Sequence, residues 1–343
     1  MIRGMKVLVT GGTGFVGAHI VGALVEQGHD VRMLVRRAEQ VPVSLAPHGV
    51  EVDDVVVGDV LDEVAVGAAL DGCDAVVHAA AVFSLDPRRT EEVLATNERA
   101  AELVLGGAVE RGLDPVVHIS STVALVRHGG TSPDLPLGDM DLPYARSKIA
   151  SERIARRLQD TGAPVTCVYP GGVLGPDDPY LGTIAEMMVW IASGRQPVYP
   201  RGAMHYVDVR DVAAVVAAAM EPGQGARRFV VPGWHLEGRD LYGAVSRVTG
   251  RRRPHVEPPA PVLLAAARLI DALNRLLPPR LHLPGDPESM QLMARGTAFD
   301  TSPATDQLGV VARPLEESVR DTLLSLAAAG HLRPRHLGKL RMA

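Results

Sequence analysis

Cysteine is scarce. The 343 residues contain two, Cys73 and Cys167, each among apolar neighbours. Two such thiols make neither a disulfide framework nor a metal site, and they read as buried core thiols of a reducing cytosol. Metal-ligand spacing is missing as well: the twelve histidines form no HExxH pattern, so no metal is expected. No apolar stretch approaches the roughly 18 residues that span a bilayer. The first apolar run starts at Met5, which leaves no room for a signal peptide, so the expected location is cytoplasmic. A net charge of −5 gives no electrostatic reason to expect nucleic acid or an anionic membrane as partner. The basic ends, Arg251–Arg253 and Arg333–Arg341, read as solvated charge. Internal repeats are absent.

What is present is an alternation of strand and helix signals in a chain that is 46% apolar, which argues for α/β and against disorder. Met5–Val9, Val31–Val35, Val52–Val57, Ala75–Ala79, Val116–Ser120 and Val165–Tyr169 are short, nearly continuous apolar runs. Such runs mark parallel strands covered by helices on both faces. Helices fit between them, for example at Glu91–Arg111 and Tyr144–Gln159. The expected fold is a doubly wound parallel sheet of the Rossmann type, with ligands at the carboxyl ends of its strands. After Pro170 the chain becomes irregular and proline-rich. Residues 1–168 are expected to form the nucleotide-binding domain and 169–343 mainly a substrate-binding region. Segments within 204–232, including Arg228–Val231, are expected to rejoin the sheet. An amphipathic helix at Val262–Leu277 reads as part of the substrate region or its lid.

Thr10-Gly11-Gly12-Thr13-Gly14-Phe15-Val16-Gly17 lies between the first strand and a helix beginning near His19. A turn this tight needs residues without a β-carbon, so that backbone N–H groups and a helix N-terminus can approach a diphosphate. The GxxGxxG spacing differs from the commonest dinucleotide fingerprint, but strand and helix flank it as that fingerprint requires. NAD-specific sites commonly carry a carboxylate at the end of the second strand. Arg36-Arg37 stands there instead. A guanidinium suits a 2′-phosphate, so NADP is expected ahead of NAD.

Tyr144-Ala-Arg-Ser-Lys148 places a phenol and an ammonium at i and i+4, on one helix face. A cation beside a phenol favours the phenolate and turns a poor acid–base group into a usable one. Ser120-Ser121-Thr122 supplies hydroxyls at a strand's carboxyl end. His78 and His118, in apolar strands, read as satisfied core histidines. Cys167 and Phe83 read as packing residues. Asn97 is open between an exposed helix residue and a part of the site.

Together these segments resemble the extended branch of the short-chain dehydrogenase/reductase superfamily. The likeness runs through TGGTGFVG, Gly58-Asp59-Val60, His78-Ala79-Ala80-Ala81, Asn97, the Ser-Ser-Thr strand end, YARSK and Tyr169-Pro170-Gly-Gly-Val-Leu-Gly-Pro. It continues in Tyr206-Val-Asp-Val-Arg-Asp-Val-Ala213 and Asp300-Thr-Ser-Pro-Ala304. The resemblance implies that Tyr144 is the general acid–base, that Lys148 holds the nicotinamide ribose and lowers the phenol's pKa, and that Thr122, with Ser121 as fallback, orients the substrate oxygen. It implies cofactor contacts at Gly11, Thr13, Gly14, Phe15, Val16, Gly17, Arg36, Asp59, Val60, Ala79, Ala80, Ala81, Asn97, Tyr144, Lys148, Pro170 and Val173.

Within that branch, sugar dehydratases resemble one another in having Asp-Glu after the catalytic threonine, where this chain has Val123-Ala124. Many epimerases carry Tyr-Gly where Leu125-Val126-Arg127 stands here, and the diphosphate-gripping arginine of sugar-nucleotide enzymes is replaced by Met204. The family's Arg-Pro is Tyr169-Pro170. The expected likeness is therefore to dihydroflavonol-reductase-like and 3β-hydroxysteroid-dehydrogenase-like members. The expected activity is hydride transfer between NADPH and a small, mostly apolar ketone, aldehyde or secondary alcohol. The alternatives are a nucleotide-sugar epimerase with tightly held NAD and a non-catalytic NADP-sensing protein. A homodimer is expected from the way flanking helices pair in this family.

Overall fold

The computed structural model describes residues 4–82, 90–127, 131, 134–259, 261–263, 265 and 287–340. Among these, a seven-stranded parallel sheet is built from β1 (Lys6–Thr10), β2 (Asp30–Val35), β3 (Val55–Val57), β4 (Ala75–His78), β5 (Val116–Ile119), β6 (Val165–Tyr169) and β9 (Arg227–Val230). Their spatial order is β3-β2-β1-β4-β5-β6-β9. This is the doubly wound sheet expected from the apolar runs. The strands are buried because helices cover both faces, so alternation with polar residues would serve no purpose.

On one face α1 (Phe15–Glu26) packs against α8 (Val209–Ala218), and α2 (Gln40–Leu45) lies beside α1. Val7, Val9, Ile20, Leu24, Val117, Val168, Val212 and Val216 make up much of that core. On the other face lie α3 (Glu63–Leu70), α4 (Thr90–Ala101), α5 (Gly107–Glu110) and α6 (Pro143–Asp160), closing over Leu8, Val76, Val116, Val165, Cys167 and Tyr169. Both cysteines are buried and unbridged. The helix expected over 91–111 is broken by a wide turn at Glu102–Gly106 before α5. The Gly106-Gly107 pair explains the break, since glycine holds an α-helix poorly. Phe83 and the helix expected at Val262–Leu277 fall on or run into residues outside those described.

After β6 the chain builds a second, three-stranded sheet from β7 (Gly172–Leu174), β8 (Ala203–Asp208) and β10 (Trp234–Glu237), in the order β10-β8-β7. The helices α7 (Thr183–Ser193), α9 (Gly238–Thr249) and α12 (Leu315–Ala328) pack around it, and α10 (Pro287–Arg295) and α11 (Ser302–Leu308) precede α12. Three buried tyrosines anchor this layer. The Tyr199 and Tyr206 hydroxyls lie 2.8 Å apart, and Tyr242 donates to the Gln196 carbonyl at 2.7 Å. Of the segments within 204–232, Arg227–Val230 pairs with β6, whereas β8 belongs to the smaller sheet. No helix of the described residues is long and apolar enough to cross a membrane.

Candidate active site

The glycine turn joins β1 to α1 at the carboxyl edge of the large sheet. Gly11 adopts φ +73°, a left-handed conformation, and a β-carbon there would lie 2.6 Å from the Ala80 nitrogen. At Gly17 a β-carbon would lie 2.1 Å from the Gly11 carbonyl oxygen. Gly14 starts α1 with no side-chain cap, so the first-turn N–H groups have no side chain competing for them. Together with the helix dipole they could hold an anionic group such as a diphosphate. Thr13 offers its carbonyl to Ser44 Oγ at 3.0 Å, and Phe15 and Val16 turn toward a neighbouring cavity.

Ala79, Ala80 and Ala81 follow β4 at the same edge. Ala80 donates its N–H to Thr10 Oγ1, which also engages His78 Nδ1 at 2.8 Å. Asn97 on α4 is buried, not exposed. Its side chain pairs with both the N–H and the carbonyl of Val82, at 2.8 and 2.9 Å, and donates to Ser147 Oγ at 2.7 Å. Asn97 thus ties the segment after β4 to α6, next to Lys148. Asp59 and Val60 follow β3; the Asp59 carboxylate is exposed and accepts from the Leu61 N–H at 3.0 Å.

The hydroxyl and phenol residues meet between β5 and α6. Ser121 caps the short turn Thr122–Leu125 by accepting from the Val123 N–H at 3.2 Å. Thr122 donates its N–H to the Pro170 carbonyl at 2.9 Å, which joins the ends of β5 and β6. Pro143 opens α6 at its first position, where a missing N–H costs nothing. Tyr144 follows, half-buried, and Lys148 lies one turn further on the inward face, buried. Burial lowers the Lys148 ammonium to about 8, against an upward pull from the Glu152 carboxylate.

Ser121, Thr122, Tyr144, Phe15, Val16 and Val173 all line one cavity of about 410 Å³. Of its opposite wall, sequence reasoning singled out only Met204 of β8, as the place of a missing arginine; it did not anticipate Asp178, Gly182 and Ile184, His205 of β8, or Leu292, Thr297 and Phe299. These positions carry no local motif, and only the return of distant segments brings them together. His118 was also misread as a satisfied core histidine. It is buried at the end of β5 with no hydrogen-bond partner for either ring nitrogen among the described residues.

The model of the "NAD dependent epimerase/dehydratase family" matches residues 7–231. Among curated relatives, sterol demethylase protein B of Methylococcus capsulatus is 31% identical over 315 residues, spanning 90% of this chain and 94% of that protein. The crystal structure of gox2253 is similar with a TM-score of 0.79 at 28% identity, covering 96% of this chain and 99% of that one. UDP-glucose-4-epimerase of Stenotrophomonas maltophila, solved with NAD and formylated UDP-arabinopyranose, shares the fold with a TM-score of 0.75 at 21% identity, over 95% of this chain and 99% of that one.

These findings correct two expectations. NADP gives way to NAD, the cofactor named by the matching family and bound in the epimerase structure. The physical reason is at Arg36: it stands exposed just past β2, where an arginine is an ordinary solvated residue and does not by itself select a 2′-phosphate. The NADPH-linked reductase of small apolar carbonyls falls with it: solved structures of this fold hold NAD together with UDP-glucose or formylated UDP-arabinopyranose.

Proposed function

Since the chain belongs to the NAD-dependent epimerase/dehydratase family, we propose that it holds NAD and oxidises a ring secondary alcohol through Tyr144, with the sugar of a nucleotide sugar as substrate. The observation that carries this reading is the convergence of Thr122 and Tyr144 on one cavity, with Lys148 buried a turn away. Residues 1–168 supply the cradle and the acid–base pair, and the region after 169 supplies the facing wall. Gly11, Gly14, Gly17 and the uncapped start of α1 fit a dinucleotide diphosphate, and Lys148 would hold its ribose. When bound, NAD supplies the hydride acceptor. Tyr144 takes the hydroxyl proton as the hydride leaves the carbinol carbon. Thr122 hydrogen-bonds the same oxygen. Lys148, as the ammonium, stabilises the phenolate that Tyr144 must present.

A specific observation favours a second substrate for the same NAD-linked step. Val123, Val126, Ile184, Met204, Leu292 and Phe299 make the cavity wall largely apolar, and no arginine lines it among the described residues. A diphosphate would have to reach outward, for instance to Arg201, exposed ahead of β8. A polycyclic ring alcohol would suit that wall, a reading supported by the name of the Methylococcus relative. One experiment separates the two. Nucleotide is extracted from the purified protein, which is then offered UDP-glucose or a 3β-hydroxysterol with NAD. Co-purified NAD with a changed sugar supports the first reading, NADH formation from the sterol the second, and neither refutes the proposed oxidation.

A further inference from the structure

His118 and Ser120 stand two residues apart on extended chain at the end of β5, so both side chains leave the same face of the sheet. Each is 3% exposed. Among the described residues, neither His118 ring nitrogen and no group near the Ser120 hydroxyl completes a hydrogen bond. Leaving a buried donor or acceptor unpaired is costly, so these atoms mark a polar niche inside a close-packed core. His78, the register neighbour on β4, differs: Thr10 satisfies its Nδ1, and its ring stacks on His118 with centroids 5.8 Å apart. On the other side the register neighbour is Cys167, a thiol kept neutral by burial.

The helix α6 covers this face: its Ile154 and Ala155 share a core with Val116 of β5 and Cys167 of β6, and Lys148 lies buried on the same side of α6, one turn before the buried Glu152. Burial above all, and the Lys148 charge after it, push both imidazoles toward the neutral form. One turn along α6, Glu152 is fully buried; its Oε1 accepts from Tyr169 at 2.7 Å and from Arg156 at 2.8 Å, and its Oε2 has no partner among the described residues. Lys148 thus sits among groups with unused hydrogen-bonding capacity.

We infer that His118 and Ser120 hold an ordered water that hydrogen-bonds the Lys148 ammonium, which makes His118 a positioning residue for Lys148. The water accepts from the ammonium and donates to a His118 nitrogen and to Ser120 Oγ. That gives it three partners, the usual number for a buried water. It also gives the ammonium a fixed acceptor on its sheet side and leaves its other donors for the Tyr144 side. The catalytic meaning of Lys148 rests on the proposed function, but the water site does not.

The chain has three lysines, Lys6, Lys148 and Lys339, so ¹⁵N-lysine NMR of the full-length protein resolves the Lys148 ammonium. In His118→Phe and in Ser120→Ala its pKa is expected to fall by about one unit, a tenfold rise in its acid dissociation constant. An unchanged Lys148 pKa overturns the inference. If the phenylalanine variant does not fold, Ser120→Ala carries the test. An atomic-resolution crystal structure of the unmodified protein is expected to show water between His118, Ser120 and Lys148, and a dry niche overturns it. Neither readout needs cofactor or substrate. Failure of the enzymatic reading would appear separately, as absent turnover with the Lys148 shift intact.

Discussion

Two glycines with the same backbone angle allow the close approach at the nucleotide turn to be measured on its own. Gly11 has φ +73° and Gly112 φ +72°. A β-carbon at Gly112 meets nothing within 4 Å, whereas one at Gly11 lies 2.6 Å from the Ala80 nitrogen and 2.7 Å from the Ala79 carbonyl carbon. In Gly112→Ala the cost is the left-handed backbone alone, about 1 kcal/mol. Gly11→Ala carries the same strain and the same change in unfolded-chain entropy. In addition it must push the turn off backbone that cannot rotate away, about 1–3 kcal/mol of overpacking. It also loosens the hydrogen bond from the Ala79 N–H to the Thr10 carbonyl, 3.1 Å long, worth about 1 kcal/mol. The expected losses are therefore about 1 kcal/mol for Gly112→Ala and about 3–5 kcal/mol for Gly11→Ala. Urea unfolding followed by circular dichroism reads both, from midpoints at a common slope. Equal losses in the two variants would refute the claim that the turn is pressed against the end of β4.

Four further outcomes are expected. Tyr144→Phe should abolish alcohol oxidation and leave NAD affinity nearly unchanged; residual turnover above a hundredth of the parent rate would remove Tyr144 from its role. Asn97→Ala strips the Val82 N–H and carbonyl of their partners, so thermal or urea unfolding should show a loss of about 2–4 kcal/mol. Arg36→Ala should change the NAD dissociation constant by less than about twofold, or ~0.4 kcal/mol, in isothermal titration; a larger loss confined to NADP would restore a phosphate role. His78 is depressed from 6.5 to about 3 by burial and by the Lys148 charge. Its folded pKa lies below its unfolded one, so its contribution to stability is present above 6.5 and lost as the pH falls toward 3. Between pH 8 and 5 that is about 2 kcal/mol; a urea midpoint that holds or rises at pH 5, or an unchanged pH slope in His78→Asn, would contradict it.

The large sheet was legible because its signals are local. Apolar runs such as Val7–Val9 and Val116–Ile119 are buried on both faces, and the chain states that burial residue by residue. The glycine turn was legible for the same reason, since strand, turn and helix follow one another within 20 or so residues. Helix periodicity put Tyr144 and Lys148 on one face, but their roles were legible only from the Ser-Ser-Thr strand end before them and from the family resemblance. The facing wall was not legible. Met204 was noticed only as the place of a missing arginine, Leu292 lies in α10 and Phe299 just after it, and nothing near those two in sequence announces a cavity. Asn97 was ambiguous because a polar residue on a helix is usually solvated, and its partners, Val82 and Ser147, come from two other segments. Arg36 misled because a residue type was read as a ligand before its exposure was known. His118 misled in the opposite direction: burial was foreseen, but the missing partner was not.

The return of Arg227–Val230 to the large sheet has a consequence for how this chain can be divided. Were it cut after Tyr169, β6 would become the sheet's outer strand, and the groups it now pairs with β9 would be open to any other chain. Tyr169, Cys167 and Val168, all buried now, would lie along that raw edge. The first half of the chain is therefore not a portable cassette. Fragments ending there should self-associate, and chimaeras between relatives should fold only when the donor supplies both the first half and the strand that seals it.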